Sequence, residues 1–551
     1  MNARAHSLRI WLYPFSILLS VIVTLLVLMF FADTYARPDA AALWHLFLAP
    51  NGAAAAGTLT SAGQVVAGVL AIAITVAAIV VELASTRYTH RITELFIAEP
   101  TNFIVIGFFV VTNLQGIWVT LTFDPSVDFV PHWGVALSMV MLTISLLILI
   151  PYFAFIFHFL QPDTILAHIR KHTLDAVRDS RDAARGKAEA VRGIEQLADV
   201  ALNAMESKDK GVSMMSVEAL RQLTDEYQAL RPALSEAWFQ VDGDLARNPD
   251  FVSMAPEVLA DVSSRRYWVE MKVLRQYQTL YNEALNKMRD INYVVAISTR
   301  RIGDMAMAQK NDELVDLVIK FFNTFLRATI NARDVRTAYN VLNQYRLFGE
   351  ELLDYGDGKR AVEVARYFKY YGRLSFDQKQ PFVLETVAYD LCTLNEIAFD
   401  KSSKVGRDIL RIFLEVDKES ETEVQEASLR GVRKAQLKLA TYYLLKGDEA
   451  SAREVHRDML HEKPERLASI RDELLAVQSR EFWEISDRGQ NFDYLSPERK
   501  RCMLAFFDWF GDVLPPRESL FPSAPPEPST AAPAGIGEDA GVPRRDPTGA
   551  S

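Results

Sequence analysis

Ala62–Val81 reads AGQVVAGVLAIAITVAAIVV, twenty residues without a formal charge. At about 1.5 Å per residue it crosses a hydrocarbon layer about 30 Å thick. Three more uncharged stretches share the first 160 residues: Ile10–Ala32, Phe103–Phe123 and Trp133–Phe157. Inside a bilayer every backbone N–H and C=O needs a partner from its own segment, so each stretch is expected to be an α-helix. The sequence therefore predicts membrane helices at about 10–32, 62–86, 102–123 and 133–160, followed by a soluble remainder.

Orientation follows from the flanking charges. Arg4 and Arg9 precede the first stretch, Arg87, His90 and Arg91 follow the second, and Arg170 and Lys171 follow the fourth. Tyr35–Ser61 has one Arg and one Asp, and Asp124–His132 has two Asp and no Lys or Arg. The positive-inside rule then puts both termini in the cytoplasm, in what reads as a bacterial inner membrane protein. The first stretch has 23 uncharged residues, longer than a signal-peptide core of about 7–15, so it reads as an uncleaved helix. The net charge of −10 argues against nucleic-acid affinity. The two cysteines, Cys392 and Cys502, lie far apart on the predicted cytoplasmic side and read as ordinary reduced thiols.

Within the membrane part, Gly63, Ala67, Ala71 and Thr75 form a small-residue ridge at steps of four. Such a ridge packs closely against a neighbouring helix or lines an oligomer face. Asn113 and Gln115 lie near the middle of the third stretch, and Glu82 lies near the cytoplasmic end of the second. Each is a candidate either for helix packing or for lining a path. Pro151 is expected to kink the fourth helix. After Pro162, apolar residues recur at helical spacing from Ile165 to Leu202, with a basic opposite face. His168 and His172 share that helix, but no third ligand accompanies them, and no metal is expected.

Residues 163–514 read as helix after helix, with breakers at Asn248-Pro249, Gly356-Asp357-Gly358, Gln380-Pro381 and Lys463-Pro464. The expected divisions are a membrane domain (1–160), a juxtamembrane helical region (163–330), a helical-repeat domain (331–514) and a disordered tail (515–551). The repeat reading rests on Ala440, Tyr443, Gly447, Ala452, Met459 and Pro464, whose steps are those of a tetratricopeptide helix pair. Tyr345, Phe348, Gly349, Leu352, Gly356, Ala361 and Phe368 echo that spacing. Phe382–Phe399 and Lys404–Val416 read as a degenerate pair between them. Gly356–Arg360 ends like a phosphate loop but lacks the Ser/Thr and the preceding strand. No catalytic or cofactor signature is found, so no enzyme activity and no cofactor is expected.

The stretch Ile79–Arg91 (IVVELASTRYTHR), followed by Pro162–Ile169 (PDTILAHI), resembles a bacterial membrane-protein family catalogued as domain of unknown function twenty-two fifty-four. A weaker echo lies in Ala328–Gln344, where Ala332-Arg333-Asp334 replaces that family's Asp-Pro pair. The resemblance implies the membrane architecture and carries no activity with it. Two functions follow from the residues. One is a membrane-anchored, non-enzymatic scaffold or sensor whose helical domain binds a cytoplasmic protein. The other is a self-associating channel or transporter with a cytoplasmic regulatory domain.

Overall fold

The computed structural model describes residues 52–89, 92–97, 99–123, 131–178, 183–417, 429–481, 488–489 and 491–513, with Ser20 and Thr24. The predicted first membrane helix, most of the Asp124–His132 loop and the predicted tail lie outside these residues. Among the described residues the fold is all-α, in two compact units, residues 1–238 and 239–551.

The first unit opens with α1 (Gly52–Arg87), α2 (Ile92–Ile97), α3 (Pro100–Leu121) and α4 (His132–Phe159). Helices α1, α3 and α4 are long and apolar enough to cross a membrane and pack pairwise against one another. Helix α1 begins ten residues before the predicted start at 62. The reason is the alanine run after Gly52, since alanine has the highest intrinsic helix propensity. Its 36 residues reach roughly 54 Å, well beyond the hydrocarbon thickness. Helix α4 runs unbroken through Pro151.

The unit closes with α5 (Pro162–Arg178), α6 (Ala183–Glu206) and α7 (Lys210–Leu230), a mutually packed three-helix bundle. Ile165, Ile169, Ile194, Leu197, Val217 and Leu220 form its core. The apolar pattern from Ile165 to Leu202 thus belongs to two packed helices.

The second unit begins in the least regular part of the chain. A helical turn at Gly243–Ala246 precedes α8 (Pro256–Ser264). Lys272 is 1% exposed. It holds this segment by bonding Asn248 at 2.8 Å and pairing with Asp250.

Then come α9 (Trp268–Lys287), α10 (Arg289–Ala308), α11 (Asp312–Asn331), α12 (Val335–Asp354), α13 (Gly358–Asp377) and α14 (Pro381–Asp400), of 20 residues each. They continue as α15 (Gly406–Leu414), α16 (Arg430–Lys446), α17 (Glu449–Met459), α18 (Pro464–Ala476) and α19 (Pro497–Phe507). Alternate helices pack side by side. Helices α10, α12, α14, α16 and α19 make one layer, the A layer, and α9, α11, α13 and α15 make the other.

The turns explain the regularity. Lys310, Arg333, Gly356, Lys379 and Ser402 all have positive φ and recur every 23 residues. After each, the next N–H reaches back to a carbonyl five residues earlier: Asn311 to Ala306, Asp334 to Thr329, Asp357 to Leu352, Gln380 to Ser375 and Ser403 to Ala398. This left-handed C-terminal closure satisfies carbonyls that the helix end would leave unpaired. Asn311, Asp334 and Asp357 then cap the following helix through Leu314 N, Thr337 N and Arg360 N.

Helix starts at Arg289, Val335 and Pro381 make the pair period 46 residues. A tetratricopeptide pair has about 34. The helices are too long for that module, and the 91-residue offset between Gly356 and Gly447 is close to two of these longer pairs.

Candidate functional site

Two places in the fold concentrate polar side chains on chain segments that are not their sequence neighbours. The first is the C-terminal end of α1. Its last turn is Ser85–Tyr88, with Ser85 and Tyr88 buried. Arg87 pairs with Asp209 at 2.7 Å, and Asn203 donates to the Tyr88 carbonyl at 2.7 Å. Asp209 also caps α7, accepting from Val212 N at 3.1 Å. One carboxylate therefore closes a helix end and takes the membrane helix's terminal charge. His168, from Pro162–Ile169, lies 3.4 Å from Glu99 and 5.4 Å from the Phe159 ring. The residues that carry the family resemblance are thus those that join membrane helices to the α5–α7 bundle. Arg170 is spent on Glu226 at 3.1 Å, and Arg178 and Arg192 on Asp175 and Glu189.

The predicted membrane residues divide. Gly63 is half-buried, and a Cβ there would stand 3.9 Å from Asn113 Oδ1. Asn113 donates to its own helix at the Phe109 carbonyl, 3.0 Å, and Gln115 is half-buried. Ala67, Ala71, Thr75 and Glu82 are exposed. The buried ridge of α1 is instead Ala55, Leu59, Val66, Ala73, Ala77, Val81 and Ala84. Sequence reading also missed a polar seam between α3 and α4. There Ser145 bonds Thr112 at 3.2 Å and Tyr152 bonds Asn102 at 3.2 Å. Hydroxyls among apolar residues give no distinctive sequence signal.

The second place is the A-layer face of the helical array. A non-helical strap, of which Arg488, Gly489 and Asn491 to Asp493 are described, lies on α12, α14 and α16. The Arg488 guanidinium forks onto Asp390 of α14, one of its bonds measuring 3.2 Å. It also donates to the Tyr339 carbonyl of α12 at 2.8 Å and stacks over the Tyr339 ring at 4.3 Å. The Phe492 ring lies on Tyr389 with centroids 4.5 Å apart and planes 14° apart. The Phe492 carbonyl accepts from Lys438 of α16 at 2.9 Å. Asp493 accepts from the Tyr389 hydroxyl at 2.6 Å and from Lys434 at 2.8 Å. The face therefore offers, in order, a buried carboxylate (Asp390, 1% exposed), an aromatic platform and two lysines.

Charge is concentrated behind it. Glu385 faces Asp493, Lys434 and Glu473, and burial with the neighbouring carboxylates pushes its pKa up to about 7. Gly431 on α16 leaves the Glu385 side chain its space, because a Cβ there would overlap that side chain. Burial raises the Cys392 thiol far above its usual range, as befits an unreactive core thiol.

The repeat-signature residues are structural. Gly349 lets Leu394 and Val364 approach, Ala361, Ala440, Tyr443 and Ala452 are buried, and Gly356 and Gly447 close helices at φ 79° and 81°. Pro464 opens α18 at its first position. In the phosphate-loop mimic, Arg360 is taken by Asp316 at 2.6 Å, Asp357 at 2.6 Å and Asp312 at 2.9 Å. Among the described residues no three His, Cys, Asp or Glu side chains converge as a metal site.

Residues 7–230 match the family model described as "Predicted membrane protein (DUF2254)". This part of the chain is similar to that family, and the match ends on the last residue of α7. The echo at Ala328–Gln344 lies beyond it. No curated protein matches the chain. A solved structure described as a "Circular tandem repeat protein with novel repeat topology and enhanced subunit contact surfaces" aligns over 68% of this chain and 85% of its own, at 15% identity and a TM-score of 0.29.

Proposed function

We propose that this membrane protein is a non-enzymatic scaffold whose cytoplasmic helical array takes a segment of a partner protein on its A-layer face. The observation that carries this reading is the chemistry of that face. Asp390, Tyr389, Tyr339, Lys434 and Lys438 already hold a non-helical stretch of chain through side-chain and main-chain bonds. Stacked helical repeats use such surfaces for extended ligands.

The test is affinity purification of the full chain from its host membranes, beside an Asp390→Asn/Lys434→Gln variant. The reading expects one reproducible protein with the wild-type chain and its loss with the variant. Equal recovery with both would refute it. The reading also needs the array in the cytoplasm of a bacterial inner-membrane protein. With the native cysteines replaced, a cysteine at Ser126 should react with an impermeant reagent in intact cells, and one at Thr89 only in opened ones.

A specific feature of α1 favours a second reading, a self-associating channel. Gln64, Gly68, Ala71, Thr75, Ala78 and Glu82 are all exposed on one face, and Gln64 and Glu82 are about five helical turns apart. Polar groups on a small-residue face suit protein or water better than lipid. Ion flux in liposomes that disappears with Gln64→Leu/Glu82→Leu supports this reading. A monomer in mild detergent with no flux removes it.

A further inference from the structure

The strap is held as a ligand is held. None of its described residues is helical, and Arg488, Phe492 and Asp493 enter three chemically different positions on α12, α14 and α16. The helices also keep their buried charges partnered without it. Asp390 has Arg346 at 3.3 Å, and Lys434 has Glu473. A buried charge left alone would make strap departure prohibitive, because removing one partner of a buried pair leaves the other charge uncompensated in a low-dielectric site. Of the three charges that the strap engages, Asp390 and Lys434 keep a second charged partner in the helices, and Lys438 keeps the Tyr389 ring at 5.6 Å. The vacated face is therefore electrostatically viable, which a purely structural strap would not require.

We propose that Arg488, Phe492 and Asp493 are a resident ligand of the A-layer face, exchangeable for a partner protein's segment that presents Arg, then an aromatic residue four positions on, then Asp. This rests on the partner-binding reading above and adds its recognition order and its self-occupied state. Asp390 reads the arginine through a forked pair, a geometry that lysine reproduces poorly. Tyr389 and Tyr339 read the aromatic ring, and Lys434 with the Tyr389 hydroxyl reads the carboxylate. A tethered strap competes at an effective concentration of the order of millimolar, so the intact chain is expected to hold partners weakly until the strap lets go.

The test uses the full chain in detergent micelles and a fluorescent synthetic peptide spanning 480–496. Wild type should bind it weakly. The strap-weakened Arg488→Ala/Phe492→Ala chain should bind at least about ten-fold more tightly. A peptide with the 488–493 order scrambled should lose that gain. Hydrogen exchange on the unmodified chain supplies a measurement that needs no variant. Strap amides exchanging well ahead of those in α12, α14 and α16 support a separable strap. Strap amides that open only together with those helices overturn the proposal, as does a folded strap-weakened chain that ignores the peptide. Host-protein capture that depends on Asp390 while the peptide is ignored would refute exchange alone and leave the partner-binding reading standing.

Discussion

Replacing Glu385 with Gln should make the helical array more stable at neutral and alkaline pH. Glu385 sits among Asp493, Glu473 and Lys434, and burial is the main reason that its pKa stands at about 7 rather than 4.5. A group whose folded pKa is raised binds its proton more tightly in the fold than in the unfolded chain. Its stabilising contribution is thus complete below the unfolded pKa, falls as pH rises, and is lost above the folded pKa. At about 1.4 kcal/mol per unit, the shift amounts to roughly 3 kcal/mol. That is a ceiling, because the residue retains some exposed surface. Glutamine keeps the shape and never ionises. Urea unfolding of the full chain in micelles, followed by circular dichroism, should give similar stabilities for the two proteins near about pH 5. By about pH 8 wild type should fall behind by up to about 3 kcal/mol. Parallel pH profiles, or a wild type that gains on the variant as pH rises, would refute the reasoning.

Four further substitutions probe the local physics. Gly431→Ala puts a methyl group where Glu385 lies and should cost about 1–3 kcal/mol by overpacking, read from the same urea curves. Lys379→Gly removes a side chain from a left-handed position, φ 61°, and should stabilise by up to about 1 kcal/mol, whereas Gly447→Ala should destabilise by a similar amount. Asp209→Ala removes both the cap of α7 and the partner of Arg87. It should cost about 1–2 kcal/mol and speed hydrogen exchange in the first turn of α7.

The helical period was legible across the described residues, because amphipathic and uncharged runs leave different marks. So were the helix boundaries at Gly356-Asp357, Gln380-Pro381 and Lys463-Pro464, where glycine and proline punctuate the chain. The 23-residue rhythm was hidden because Lys310, Arg333, Lys379 and Ser402 occupy left-handed turns usually given to glycine. Only Gly356 and Gly447 advertise such a turn in the sequence. Alanines on both faces of α1 make its periodicity ambiguous, so the sequence does not separate the buried row from the row of Gly63, Ala67, Ala71 and Thr75. The strap could not be read at all. Arg488, Phe492 and Asp493 acquire meaning only when α12, α14 and α16 bring Tyr339, Asp390 and Lys434 to one face.

The central claim is that this face receives a partner protein in the living cell. Phe382, half-buried beside Tyr339 with ring centroids 5.8 Å apart, borders the strap. A photo-crosslinking phenylalanine analogue at position 382, irradiated in intact cells, samples whatever occupies the face. The account predicts a crosslink to a second protein that strengthens when Arg488→Ala loosens the strap and weakens with Asp390→Asn. Crosslinks confined to the chain's own 488–493 segment in every variant would contradict it.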